Sequence, residues 1–395
     1  MKHPRSRLAC ALLLLFAVGC FLRTPLSAAR ATASVPSLSA ESALLMEAET
    51  ERVLFETNAH ARMGMASTTK IMTALLVAER MDPDTVVTVP REAVGIEGSS
   101  IYLTAGERLT VRELLYALML ASANDAATAL AIATAGNVEA FCVLMNRRAQ
   151  ELGLTDTHFV NPHGLASEEH YTTAYDLARI AAEALRHPLI CEIAASKRAE
   201  ISFGDHPKGR YLRNHNRLLT QYDGAIGLKT GFTKKTGRCL VSAAERDGMT
   251  LIAVTLNAPD DWKDHTAMLD YGFAAYTHVT LYEVGTLMIH LPLSGGKDSY
   301  VTLTNTKPIR MLLPTGEQTP TLRVESPSHF ALAPVARDTE LGRVICTVGE
   351  TSVSSPLVAC ADATAYEEPK GFWERLLDGI LSRLKNFFTI FQTKD

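Results

Sequence analysis

Short apolar runs at Ser42 to Met46 and Arg52 to Phe55 predict two strands around a turn. An apolar stretch, Ile71 to Val77, then follows Ser67-Thr68-Thr69-Lys70 and predicts a helix that opens at the serine. From Thr110 to Ala135 the chain is rich in Ala and Leu with few breakers. Thr110, with Glu113 three residues on, has the spacing of a capping box. Val138 to Leu152 and Ala174 to Leu185 extend this helical subregion. Strand character returns at Ala225 to Thr230, Gly237 to Ala244 and Met249 to Asn257. The turn-like Lys234-Lys235-Thr236 and Arg246-Asp247-Gly248 between them predict three neighbouring antiparallel strands. A helical pattern from Trp262 to Tyr276 closes this part. Strands at both ends with helices between them predict an α/β (α+β) sandwich domain over residues 37–276.

Beyond residue 277 the texture changes to short β-rich runs such as Val279 to Tyr282 and Tyr300 to Leu303, broken by six prolines from Pro292 to Pro334. This predicts a small all-β domain over 277–366, with no recognisable catalytic cluster. Residues 370–395 place Phe372, Trp373, Leu376, Leu377, Ile380, Leu381, Leu384, Phe387, Phe388 and Phe391 on one helix face. Glu374, Arg375, Asp378, Arg383 and Lys385 lie opposite. Such a helix suits a membrane surface and not a span. Pro369-Lys370-Gly371 separates it from the domain before it.

At the other end, Lys2, Arg5 and Arg7 precede an apolar run from Leu8 to Leu22, and small residues Ser27 and Ala29 follow. The pattern predicts an export signal over residues 1–29, with cleavage after Ala29 or, nearly as well placed, after Ala31. The run is short for a permanent span. Roughly 365 residues would remain, which suits two domains.

Composition narrows the chemistry. A net charge of −4 with no basic block argues against nucleic acid as a partner. Of seven cysteines, Cys10 and Cys20 lie in the signal, and the rest form no C-x-x-C pair. Cys142, Cys191, Cys239 and Cys346 stand in apolar surroundings and read as small buried hydrophobes. The twelve histidines show no local ligand spacing, so no metal or cofactor is predicted.

Three tetrapeptides fit Ser-x-x-Lys. Ser294 to Lys297 falls in a Gly-rich turn, and Ser382 to Lys385 in the amphipathic tail. Only Ser67 to Lys70 joins a helix start to an apolar body. There a hydroxyl and an amine share one helix face, and a desolvated lysine loses its proton readily and can take one from serine. Ser122-Ala123-Asn124 sets two polar side chains in an apolar helical neighbourhood. Lys229-Thr230-Gly231 ends a strand, and its glycine allows a ligand backbone to come close. The second copy, Lys235-Thr236-Gly237, occupies a predicted turn and reads as an accidental match.

These patterns, with Met65 to Thr73, Asn161-Pro162-His163-Gly164-Leu165 and Gly227 to Thr233, resemble the low-molecular-mass penicillin-binding proteins. Those are serine D-alanyl-D-alanine carboxypeptidases of the penicillin-recognising superfamily. The resemblance covers residues 37–276. It implies an antiparallel sheet with helices on both faces and a peptidoglycan stem peptide ending in D-Ala-D-Ala as substrate. β-Lactam antibiotics would act as acylating inhibitors, and the location would be the outer face of the bacterial cytoplasmic membrane. Ser67 would be the nucleophile, Lys70 its base and Ser122 a proton carrier. Asn124 would bond a substrate amide, and Lys229 with Thr230, beside Gly231, would receive the terminal carboxylate. The backbone N–H groups of Ser67 and Phe232 would form an oxyanion hole. Some relatives carry histidine where this chain has Phe232, which puts affinity or rate in question more than chemistry. A β-lactamase on the same fold lacks support because no Glu-x-x-Leu-Asn motif occurs. A D,D-endopeptidase would use the same residues, and a wall-binding module without turnover would not need them all.

Overall fold

The structure is a computed structural model that describes residues 34–204, 208–316, 319–368, 371–373 and 375–382. The expected export signal, residues 1–29, lies outside the described residues, as does much of the segment 370–395.

Five strands form one antiparallel sheet: β1 (Ser42–Glu47), β2 (Val53–Thr57), β3 (Ala225–Thr233), β4 (Gly237–Arg246) and β5 (Met249–Leu256), in the order β2-β1-β5-β4-β3. All six residues of β1 are buried. Alternate side chains therefore go to two different cores. Leu44 and Met46 pack with Val241 and Val254 against α1 (Lys70–Arg80) and α5 (Ala174–Leu185), through Ile71, Leu75, Leu177 and Ile180. Ala43 and Leu45 pack with Leu240 and Leu251 against Met268 and Leu269 of α6 (Asp261–Ala275). Gly272 lets α6 sit close: a Cβ there would lie 2.5 Å from Leu251 Cδ1 and 2.9 Å from Leu45 Cδ2. The sheet is thus covered by helices on both faces, as the sequence predicts.

The helical subregion consists of α2 (Val111–Leu120), α3 (Asn124–Ala135) and α4 (Val138–Glu151) in front of α5. Thr110 accepts from the Glu113 backbone N–H, and the Glu113 carboxylate accepts from the Thr110 backbone, so the capping box is formed. The stretch is not one continuous helix, however. It breaks at residues 121–123, where Ser122 adopts φ +58°. Ala- and Leu-rich sequence flanks the break on both sides, so the helical pattern alone does not reveal it.

Strand β6 (Tyr276–Tyr282) follows α6 without an intervening loop and pairs antiparallel with Ile309–Pro314. A six-stranded sheet accompanies that pair, in the order Thr321–Glu325, Glu340–Val348, Thr351–Ala359, Tyr300–Asn305, Ile289–Ser294, Ala331–Leu332. Its core gathers Leu303, Ile309, Val344, Cys346 and Leu357. Arg52 ties the two parts together, donating from Nη1 to Leu312 O and Thr351 Oγ1, each at 3.0 Å.

Cys142, Cys191, Cys239, Cys346 and Cys360 are all free thiols. Residues 375–382 are helical, with Leu376, Leu377, Ile380 and Leu381 about half exposed. Among the described residues no single helix is long and apolar enough to cross a membrane.

Removing the Thr110 cap orphans the N–H of Glu113. Thr110→Ala is expected to lower unfolding stability by about 1 kcal/mol in urea titration, with Thr110→Ser retaining most of it.

Candidate active site

Ser67 does not lie on the α-helix itself. It occupies a single 3-10 turn, Ala66–Thr69, from which α1 continues at Lys70. Ala66 is held at φ +48°, a conformation that costs an L-residue energy unless its surroundings enforce it. The surroundings do so. Thr68 Oγ1 donates to Met65 O at 2.6 Å, and Thr69 Oγ1 donates to Ala66 O at 2.8 Å. His170 supports Thr69 in turn. Its Nδ1 accepts from Val160 N (3.1 Å), so the proton sits on Nε2, 2.8 Å from Thr69 Oγ1. Burial lowers the His170 pKa to about 4, which keeps this ring neutral.

Two glycines admit backbone against the turn. A Cβ on Gly164 would stand 1.9 Å from Ala66 O, and one on Gly231 would stand 3.0 Å from Ser67 N. Loop 161–165 and strand β3 therefore close on the Ser67 turn from two sides. Gly164 also needs its φ of +92°, which L side chains rarely adopt.

Lys70 is fully buried. Its Nζ lies 3.0 Å from Ser67 Oγ, 2.7 Å from Asn124 Oδ1 and 2.5 Å from His163 O. Burial first, and the charge of Lys229 second, push its pKa well below the usual 10.5, against a smaller opposing effect of Asp125. A neutral amine can donate two hydrogens to Asn124 and His163 and keep its lone pair toward the serine. The site thus holds an amine disposed to give up its proton within reach of a hydroxyl.

Asn124 opens α3 directly after the break. Its Nδ2 donates to Glu97 O at 2.5 Å and its backbone N–H to Ser99 O at 2.7 Å. Asp125 beside it accepts from Ser100 Oγ (2.6 Å) and Leu103 N (3.0 Å), pinning the loop that forms one cleft rim.

The cleft has a volume of about 570 Å³ and is lined by Ser67, Ser122, Thr230, Gly231 and Phe232, together with Arg213, His215, Arg217 and Trp262. Strand β3 is an edge of the sheet, and its free side forms one wall. Lys229 points away from that wall. It is buried behind Thr230, donates to Thr230 O at 2.9 Å, and burial lowers its pKa to about 7. Its charge is felt through the wall while Thr230 makes the surface.

Every residue singled out from the sequence falls within this cleft or immediately behind it. Two are arranged differently from what a helix face suggests. Ser122 lines the cleft from a left-handed turn, and no hydrogen bond joins it to Ser67 or Lys70 among the described residues. Asn124 is engaged with Lys70. Of the turn copy, Lys235-Thr236-Gly237, none lines the cleft, and Lys235 and Thr236 line a separate depression. Asp125, the Thr69–His170 support and the arginines of the rim were not singled out. Asp125 stands next to Asn124 at the mouth of an apolar helix and offered a signal. His170 and Arg213 offered none, since their roles depend on segments distant in sequence.

Between about pH 7 and 10.5 the folded chain binds fewer protons than the unfolded chain, because Lys229 is already neutral in the fold. Stability therefore rises with pH over that window. Lys229→Met is expected to flatten the rise by up to about 1.4 kcal/mol per pH unit, measured by urea unfolding at pH 7.5, 8.5 and 9.5.

Comparison with known proteins agrees with this geometry. D-alanyl-D-alanine carboxypeptidase DacF of Bacillus subtilis is 35% identical over 82% of this chain and 85% of its own length. DacC of Escherichia coli is 31% identical over 93% and 94%. The crystal structure of penicillin binding protein 5 from Haemophilus influenzae superposes with a TM-score of 0.70 at 27% identity, over 84% of this chain and 99% of that one. Residues 29–260 match the family description for D-alanyl-D-alanine carboxypeptidases, peptidase family S11, and the chain belongs to that family.

Proposed function

We propose that this protein is a serine-type D-alanyl-D-alanine carboxypeptidase that trims peptidoglycan stem pentapeptides. The observation that carries the reading is the buried Lys70 amine, 3.0 Å from Ser67 Oγ and pushed toward neutrality. Lys70 takes the hydroxyl proton as Oγ attacks the carbonyl between the two terminal D-alanines. The resulting oxyanion is received by the backbone N–H groups of Ser67 and Phe232, worth roughly 3 kcal/mol per donor. Collapse breaks the peptide bond, and the proton passes by way of Ser122 to the leaving amine. D-Alanine departs, leaving an ester on Ser67. Water, deprotonated by Lys70, then releases the shortened peptide.

The substrate lies along β3, whose free edge pairs with an extended peptide. Its terminal carboxylate meets Thr230, the field of Lys229 behind it, and the cationic rim of Arg213 and Arg217. Asn124 keeps a second Nδ2 hydrogen for a substrate amide. A β-lactam would enter as a mimic of the same dipeptide and stay as an ester on Ser67.

Export and attachment at the membrane surface complete the proposal. They rest on the N-terminal pattern of charge, apolar run and small residues. The exposed Phe372, Trp373, Leu376, Leu377, Ile380 and Leu381 support attachment.

Incubation with a stem pentapeptide is expected to release D-alanine, and Ser67→Ala to lower that rate by at least about 10⁴-fold. Labelled penicillin should attach at Ser67 in the wild type only. No release by the wild type, or equal release by the variant, would overturn the reading. The pH profile of kcat/KM should be bell-shaped, rising as Lys70 loses its proton and falling above about pH 7 as Lys229 does. Lys229→Gln should move the rising limb to higher pH, since the charge that depresses Lys70 is gone. Deleting residues 370–395 should shift the protein from the membrane to the soluble fraction of a cell lysate.

A further inference from the structure

Where β1 meets β6, on the opposite face of the sheet from Ser67, three side chains of metal-ligand type converge. Glu47, the last residue of β1, is fully buried. A buried carboxylate normally finds a basic partner or a metal. No lysine or arginine lies within ion-pair distance of Glu47 among the described residues, and the one basic group beside it is His278. The carboxylate is instead oriented by its own turn. Glu49 N donates to Oε1 at 3.0 Å, while Thr50 N and Thr50 Oγ1 donate to Oε2 at 2.8 and 2.5 Å.

His278 stands on β6 with only 4% of its side chain exposed. Its Nδ1 is buried without a hydrogen-bond partner among the described residues. Its Nε2 faces Glu47 Oε1 at 3.7 Å, too far for a hydrogen bond. With Glu49, the three residues bring one ligand atom each within 4.8 Å of one another. In a tetrahedral zinc site with bonds of about 2.0–2.2 Å, neighbouring ligand atoms stand roughly 3.4 Å apart. The observed separation suits two ligands of one ion better than it suits a hydrogen-bonded pair.

The donor set agrees. One imidazole with carboxylates favours zinc over calcium or magnesium, which take oxygen ligands alone. Glu47 Oε1 accepts a single N–H and keeps a lone pair free, and hydrogen bonds that fix a carboxylate are what ordered metal ligands carry.

We propose that Glu47, Glu49 and His278 bind a zinc ion whose fourth ligand is water. The ion would join the end of β1 to the first strand after α6 and so clamp the catalytic sheet to the β unit that follows. It takes no part in the acyl transfer at Ser67.

The test is zinc binding by the purified full chain, stripped with EDTA and freed of chelator by gel filtration. Calorimetric titration with zinc chloride is expected to give one saturable equivalent, and zinc is expected to raise the Tm. Glu49→Gln changes an exposed side chain and should leave the far-ultraviolet circular dichroism intact while weakening zinc binding on the order of 10- to 100-fold. His278→Phe should abolish the saturable equivalent. Absence of a saturable equivalent in the wild type, or equal affinity in Glu49→Gln, overturns the proposal.

Discussion

A lysine amine buried beside a serine hydroxyl is the constraint around which this protein is arranged. Taking an ammonium out of water is costly, and that cost pushes the Lys70 pKa well below its usual value. The amine then needs acceptors for its hydrogens, supplied by Asn124 and the His163 carbonyl. Both come from outside α1, so the helical subregion and the 161–165 loop must dock on it accurately. Lys229, buried behind the cleft wall with its own pKa lowered to about 7 by burial, lowers that of Lys70 further while it carries its proton. Two lysines thus divide one electrostatic task.

The sheet gives this arrangement its rigidity. With helices on both faces, neither side of β1, β4 or β5 meets solvent, and only the edges remain for function. The free edge of β3 forms one wall of the cleft, and at Gly231 the strand comes close against the Ser67 turn. A Cβ there would stand 3.0 Å from Ser67 N, so a larger residue would press the strand off the turn.

Much of this was legible in the chain. The apolar runs of the strands, the Thr110–Glu113 cap and the apolar body of α1 each report a local physical demand, and local demands are what a sequence displays. The pairing of Ser67 with Lys70 was legible for the same reason, since three residues of one turn fix it. The break at Ser122 was not, because its neighbours are apolar whether the helix continues or stops. The support of Thr69 by His170 was equally hidden: it joins residues brought together only by the tertiary fold. Burial of Lys229 behind Thr230 follows from strand alternation, yet which side of β3 faces the cleft is decided by β4 pairing and by the turn that packs against Gly231.

The contact between Gly164 and the Ala66 carbonyl leaves no room for even a methyl group, while the adjoining His163 carbonyl holds the Lys70 amine. One short loop therefore gauges the nucleophile turn and solvates its base at the same time. If the loop withdraws, water reaches the amine, the amine takes up a proton, and the serine loses its base. The same five residues thus set both the backbone geometry beside Ser67 and the surroundings of the Lys70 amine.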